Sequence, residues 1–396
     1  MPEDVDLQRA RGEFPILEQR NYLATHALGP MPRAALEDLE EYRELLLQRT
    51  AGIPAQLRAI EAMRGDLAQL VDALPDDIAL CPSATAALAQ IALALQPSVN
   101  RRRLLISAQN FPSTRFLWQA QAPRGFEPEL VEQRLPATGE RSVETLPIDE
   151  RTAAVIVPWV APYTGALIDL DALCQRCREV GALCIVDAYQ GVGVVPLSLA
   201  DPARRPDVLV AGNHKWLCAA SMGLAFLYVD PRLAVTLSPA APGWLGDAGF
   251  PQFSEVYRPA AGARRFQQGT PAVEPIFGAR AGLRFVLRHG VERLHASSLR
   301  LTQALLEVAD DCGLAVATPR SPSGRGGTVT LAFQRLEVSA QQRLVGQLSQ
   351  AGIDVDFRPG GGMRVSPHPC ATLDDVESAV STISRLSAVF SSSAPL

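Results

Sequence analysis

The chain has 396 residues, 47% hydrophobic and 20% charged, enough to bury a large core in two domains or in one large domain with a smaller partner. Its formal net charge is −5 and its one basic run, Arg101–Arg103, is short and leads into an apolar stretch, so there is no basic face for nucleic acid. No apolar run reaches the ~18 residues that cross a bilayer.

The opening MPEDVDLQRARGEF is acidic and polar, which does not match a signal peptide, and seven cysteines without framework spacing point to a reducing cytoplasm. Ala84–Leu95 then reads as a helix. Leu104–Ala108 and Ala153–Val160 read as buried strands. Leu170, Leu173, Cys174, Cys177 and Val180 recur at helical spacing, so Cys174 and Cys177 line the inner face of a helix rather than forming a redox or metal pair. Leu183–Ala188, Val208–Gly212 and Leu224–Val229 complete a set of short strands without strict alternation. That texture predicts an α/β fold: a mixed, mostly parallel sheet covered by helices on both faces.

After about residue 275 the pattern becomes α+β. Helices are expected over Ile276–Arg288 and Val291–Cys312, then a strand at Thr328–Phe333 and a helix near Ala340–Ala351. Strands at Ile353–Phe357 and Met363–Ser366 precede a last helix over Leu373–Leu386. The segment Ser321–Gly327, SPSGRGG, reads as a flexible connection. The expected organisation is an N-terminal arm over 1–30 packing with the small domain, a large domain over 31–275, a small C-terminal domain over 276–390 and a frayed tail over 391–396.

One compositional fact points to chemistry. Lysine and arginine total 37, and only Lys215 is a lysine. Arginine-biased coding explains the arginines but not the survivor. Guanidinium stays protonated and cannot be the amine of an imine, whereas a lysine amine can lose its proton. Lys215 follows the strand ending at Gly212, in Asn213-His214-Lys215-Trp216, with Leu217, Ala219, Ala220 and Gly223 as an apolar surround that disfavours its charge. The preceding strand ends on an acid, Asp187, followed by the turn Ala-Tyr-Gln190-Gly. Ligands of open α/β sheets bind at this edge. Acid and lysine on successive strand ends suit pyridoxal 5′-phosphate: the lysine forms a Schiff base, and the acid keeps the pyridine nitrogen protonated and the ring an electron sink.

Phosphate needs donors. Cys81-Pro-Ser83-Ala84-Thr85 precedes a helix and offers hydroxyls and free N–H groups, although alone it would read as an ordinary N-cap. Phe111, in the loop Asn110-Phe111-Pro-Ser-Thr114, offers a ring for stacking or for the core.

From Asn21-Tyr-Leu-Ala-Thr-His26 to Met363-Arg364-Val-Ser-Pro, the sequence resembles the fold-type I pyridoxal-phosphate enzymes of the class V aminotransferase group, and among them the kynureninases. The Phe111-Pro-Ser loop, Asp187, Lys215, Gly243-Trp244-Leu-Gly246-Asp and Arg265-Phe-Gln-Gln-Gly269-Thr270-Pro carry the likeness. It implies that Lys215 holds the cofactor as an imine and then moves the α-proton, that Asp187 pairs with the pyridine nitrogen and that Phe111 stacks on the ring. Ala84 and Thr85 would bind phosphate, with Trp244 and Thr270 reaching the phosphate region, Thr270 from a neighbouring subunit. Thr114, Gln190 and His214 would complete the cofactor contacts. Arg364 would clamp the carboxylate of an amino-acid substrate, with His26 beside it, in a homodimer that shares its active sites and needs no metal.

The departures bear on the reaction. Kynureninase-like sequences carry Asp, His and Tyr where this one has Thr114, Gln190 and His214. Asp-x-x-Gln and His-Lys resemble instead the cysteine desulfurases and isopenicillin N epimerases. A desulfurase also needs a nucleophilic cysteine on a small-domain loop, and SPSGRGG has none. The reading is hydrolytic or lyase cleavage of a C–C or C–S bond within the substrate's side chain, with transamination and epimerisation as alternatives. A non-catalytic cofactor binder would have no use for both Lys215 and Arg364.

Overall fold

A computed structural model describes residues 5–132, 143–333 and 336–392. Its centre is a seven-stranded sheet made of β1 (Ile78–Cys81), β2 (Arg103–Ser107), β3 (Glu127–Val131), β4 (Thr152–Pro158), β5 (Leu183–Asp187), β6 (Val208–Gly212) and β7 (Ala225–Val229). The spatial order is β1-β7-β6-β5-β4-β2-β3, and β7 alone runs against its neighbours. Strands β2, β4 and β6 are buried at all but one of their residues, Ala153. Both faces are therefore covered, which is why the sequence shows continuous Val, Ile and Leu rather than alternation.

The two faces still alternate residue by residue. Ile106, Ile156, Ile185 and Val210 face one core, closed by Leu88 and Ile91 of helix α3 (Ala84–Ala94). Val155, Val157, Cys184 and Leu209 face the other core. There they meet Leu173, Cys174 and Cys177 of α5 (Leu170–Val180) and Ile276 and Leu283 of α6 (Glu274–His289). Cys174 and Cys177 are core residues, as their spacing predicts. The large domain also contains α1 (Ala34–Leu47), α2 (Ile53–Leu70) and α4 (Pro112–Gln119).

The C-terminal region builds a second sheet, β8 (Ala315–Val316), β9 (Val329–Ala332), β10 (Asp356–Arg358) and β11 (Gly362–Val365), antiparallel in the order β10-β11-β9-β8. Helices α7 (Val291–Asp311), α8 (Val338–Gln350) and α9 (Leu373–Ser392) cover it, with Leu301, Leu305, Leu344, Val380 and Ile383 in its core. The single strand expected over Ile353–Phe357 is divided: Ile353–Asp354 pairs in parallel with Asn21–Tyr22 of the N-terminal segment, while Asp356–Arg358 joins the sheet.

Two expectations change. The segment Ser321–Gly327 is not a flexible connection. Arg325 within it is fully buried, its guanidinium donating to Arg320 O, Thr302 Oγ1 and Gln303 Oε1. A buried guanidinium with its donors satisfied fixes the loop instead of freeing it. The helix α9 also runs on through Ser392, and the rest of the tail expected over 391–396 lies outside the described residues.

Candidate active site

The strands that run in one direction end at a common edge, and the loops leaving it carry the site. β5 ends on Asp187, whose Oδ1 accepts from Tyr189 N (3.0 Å) and Oδ2 from Thr114 Oγ1 (3.3 Å). β6 ends at Gly212, and the next turn presents Lys215, closed by Cys218 N donating to Lys215 O and Ala219 N to Asn213 O. The N-terminal segment seals this turn: Gly29 N donates to His214 O, and a Cβ on Gly29 would lie 1.9 Å from Lys215 O. Only glycine fits there.

These loops enclose a cavity of about 300 Å³ whose lining includes Lys215, Asp187, Thr85, Phe111, Tyr189 and Arg364. Burial pushes the Lys215 amine down to about 8 against the pull of Asp187, with Arg364 and Arg358 adding to the fall. Burial likewise raises the Asp187 carboxyl, opposed by Tyr189 N–H, Lys215 and Thr114. Among the described residues Lys215 makes no ion pair, although a buried carboxylate shares its cavity. Its Nζ lies 4.7 Å from the centre of the Tyr189 ring and 5.9 Å from that of Phe111.

At the other wall, Arg364 of β11 is set opposite Asp356 of β10 by the strand register. It donates to the Asp356 carboxylate and to Pro162 O (2.8 Å), and its buried Nε has no acceptor among the described residues. Asp356 also meets His26 Nε2 at 3.3 Å and Arg358 Nε at 3.4 Å. Burial, with Arg364 and Lys215 nearby, holds His26 well below the usual imidazole value, which favours its uncharged form.

At α3, Ser83 is the N-cap and its Oγ accepts from Ala86 N (3.1 Å). The N–H groups of Ala84 and Thr85 have no intrahelical acceptor at that end, and both residues line the cavity. An unpaired amine, a separate buried carboxylate, an open helix N-terminus and an exposed Phe111 ring are the donor set that pyridoxal phosphate needs, and they fit it. Phe111 is half exposed, so it is not core.

Of the residues expected from sequence, Ala84, Thr85, Phe111, Thr114, Asp187, Gln190, His214, Lys215, His26 and Arg364 share this cavity. Trp244 and Thr270 do not line it. Trp244 stacks on Phe253 and donates to Gln252 O, and Thr270 lies exposed near Pro82 and Ala86. Gln190 is occupied at both ends, donating to His26 O (3.0 Å) and accepting from Trp216 Nε1 (3.3 Å), so it ties the N-terminal segment to the lysine turn. Sequence reading missed Tyr189, whose hydroxyl lies 3.0 Å from His214 Nδ1, and Asp356. Tyr189 stands in the same turn as Asp187. The alternation Ile353-Asp-Val-Asp356 puts Asp356 on the face away from the core, but says nothing of its place across from Arg364.

The aminotransferase class-V family model matches residues 22–389. Kynureninases of Eremothecium gossypii (28% identical, covering 94% of this protein and 91% of that one) and Stenotrophomonas maltophilia (29%, 92% and 91%) are similar over nearly the whole length. The uncharacterized aminotransferase YcbU of Bacillus subtilis is similar over about four-fifths of each protein (28% identical, covering 78% of this protein and 81% of that one). Among solved structures, the apo cysteine desulfurase of Thermococcus onnurineus aligns with a TM-score of 0.83 at 20% identity over 98% of both proteins. The cystine C–S lyase C-DES, in complex with its product cysteine persulfide, aligns with a TM-score of 0.82 at 19% identity over 94% of this protein and 99% of that one. These structures share the fold. The protein belongs to the class V aminotransferase family of pyridoxal-phosphate-dependent enzymes.

Proposed function

We propose that this enzyme cleaves a C–C or C–S bond within the side chain of an amino-acid substrate, in the manner of a kynureninase. The observation that carries the reading is the meeting of Lys215, Asp187 and Arg364 in one cavity whose described lining contains no cysteine. Without a thiol in reach, sulfur transfer to the protein has no acceptor. The full-length likeness to kynureninases supports hydrolytic or eliminative cleavage in its place.

Pyridoxal phosphate supplies an electron sink that stabilises negative charge developing at Cα. Lys215 would hold the cofactor through Nζ. The same amine would serve as the base for the α-proton, a role that its lowered pKa suits near neutral pH. Asp187 would keep a proton on the ring nitrogen facing its carboxylate. Arg364, held by Asp356 and Pro162 O, would receive the substrate carboxylate on its planar fork. Phe111 at the mouth would stack on the ring. Tyr189 and His214 form a hydrogen-bonded pair beside Lys215 that can pass a proton within the cavity.

The same reading assigns a homodimer. Trp244 and Thr270 stand outside their own cavity, and beside Trp244 the Phe253 ring is 91% exposed. A second copy would bury that face and bring Thr270 to its partner's phosphate. The seven free cysteines fit a reducing, cytoplasmic setting.

The test is to incubate the holoenzyme with kynurenine and cysteine conjugates, with and without a keto-acid acceptor. Anthranilate with alanine, or pyruvate with ammonia, is expected without acceptor. Turnover that requires the keto acid, or inversion at Cα alone, would overturn the proposed reaction.

A further inference from the structure

The lysine cavity is small for what it must hold. About 300 Å³ is at the lower end of the ~300–1,000 Å³ typical of a pocket for one small molecule, and cofactor and substrate share it. A second chamber of about 510 Å³ adjoins it. Three pairs of consecutive residues stand where the two meet. Thr114, Pro162 and Arg358 line the first cavity, and Arg115, Tyr163 and Pro359 line the second.

This chamber has an apolar side of Ala317, Ala332 and Phe333. Opposed to that character are two polar groups. Arg115 Nε and Gln109 Oε1 are both shielded from solvent and have no hydrogen-bond partner among the described residues. Arg115 also makes no ion pair among them. A shielded guanidinium nitrogen and amide left without partners are costly unless something else supplies an acceptor. The amide of Gln109 reads equally well turned over, so its NH₂ can donate alongside Arg115 to one oxyanion.

We propose that this chamber receives the distal part of the substrate, an apolar stem that ends in a carboxylate bound by Arg115. The inference rests on the neighbouring cavity being an amino-acid site. It adds the character of the group beyond Cβ. Phe333 and the two alanines take the stem, and Arg115 with Gln109 takes the acid.

Titration of the wild-type holoenzyme with S-carboxybutyl-L-cysteine, its carboxamide analogue and L-alanine, each read from the cofactor's absorbance, tests this. The carboxylate is expected to bind at least about ten-fold more tightly than the carboxamide. Arg115→Met is expected to cut that preference below about two-fold and to leave L-alanine binding within about two-fold. Ala332→Phe, which fills the chamber from β9, is expected to weaken both long ligands and spare L-alanine. Equal binding of acid and amide by the wild type overturns the proposal, as does a preference that survives in Arg115→Met. If L-alanine itself leaves the wild-type absorbance unchanged, the amino-acid reading of the first cavity fails, and this proposal with it.

Discussion

Removing the Lys215 charge should stabilise the apoprotein. The amine is almost wholly buried and is pushed down to about 8 from 10.5, chiefly by burial. At 1.36 kcal/mol for each pH unit, that difference is a cost of about 3 kcal/mol carried by the folded apoprotein at pH 7. It has a functional return: about one amine in ten is neutral at pH 7, against about one in three thousand for an ordinary lysine. Lys215→Met keeps the stem and deletes the charge. For a protein of this length the unfolding entropy is about 0.8 kcal/mol per kelvin, so the melting temperature should rise by about 4 °C. The sign follows from proton binding. Below pH 8 the folded wild type carries the whole cost, and from 8 towards 10.5 the cost fades as folded Lys215 sheds its proton before the unfolded state does. The gap between variant and wild type should therefore be widest at pH 7 and close towards pH 10.5. Thermal melts of both apoproteins across that range measure it. A variant no more stable than wild type at pH 7, or a gap unchanged at high pH, would refute the argument that burial tunes this amine.

Asp187→Asn removes the carboxylate set to hold the ring nitrogen's proton and should lower kcat by about 10²–10³-fold with cofactor still bound, measured by turnover alongside absorbance. Asp356→Ala strips the buried Arg364 guanidinium of its carboxylate partner. Steady-state kinetics should show the amino-acid KM rising at least about ten-fold, and melts should show a loss of about 3 kcal/mol. Gly212→Ala would place a Cβ 1.9 Å from the Tyr189 ring, so the variant should lose about 1–3 kcal/mol in a denaturant melt.

The sheet was legible because a strand covered on both faces has to be apolar throughout, and runs such as Ala153–Val160 carry that pattern without alternation. Asp187 and Lys215 were legible because one ends a buried strand and the other stands in the turn just after the next, where position alone sets exposure to a ligand. Asp356 was not, because its role depends on lying across from Arg364 in a hairpin whose register no local spacing states. Arg325 misled for a similar reason. A Gly- and Ser-rich run reads as loose until the distant acceptors that bury its arginine are known. Trp244 and Thr270 mark the other limit, since both were expected at the cofactor and neither lines the Lys215 cavity.

The central claim is that Lys215 is the residue that holds pyridoxal phosphate. Borohydride reduction of the holoprotein, followed by mass spectrometry of its peptides, tests it most directly. The account predicts a yellow protein that bleaches on reduction and carries one phosphopyridoxyl group on the peptide containing Lys215, a label that Lys215→Ala does not acquire. A protein that takes up no cofactor, or a label found only at the N-terminal amine, would contradict it.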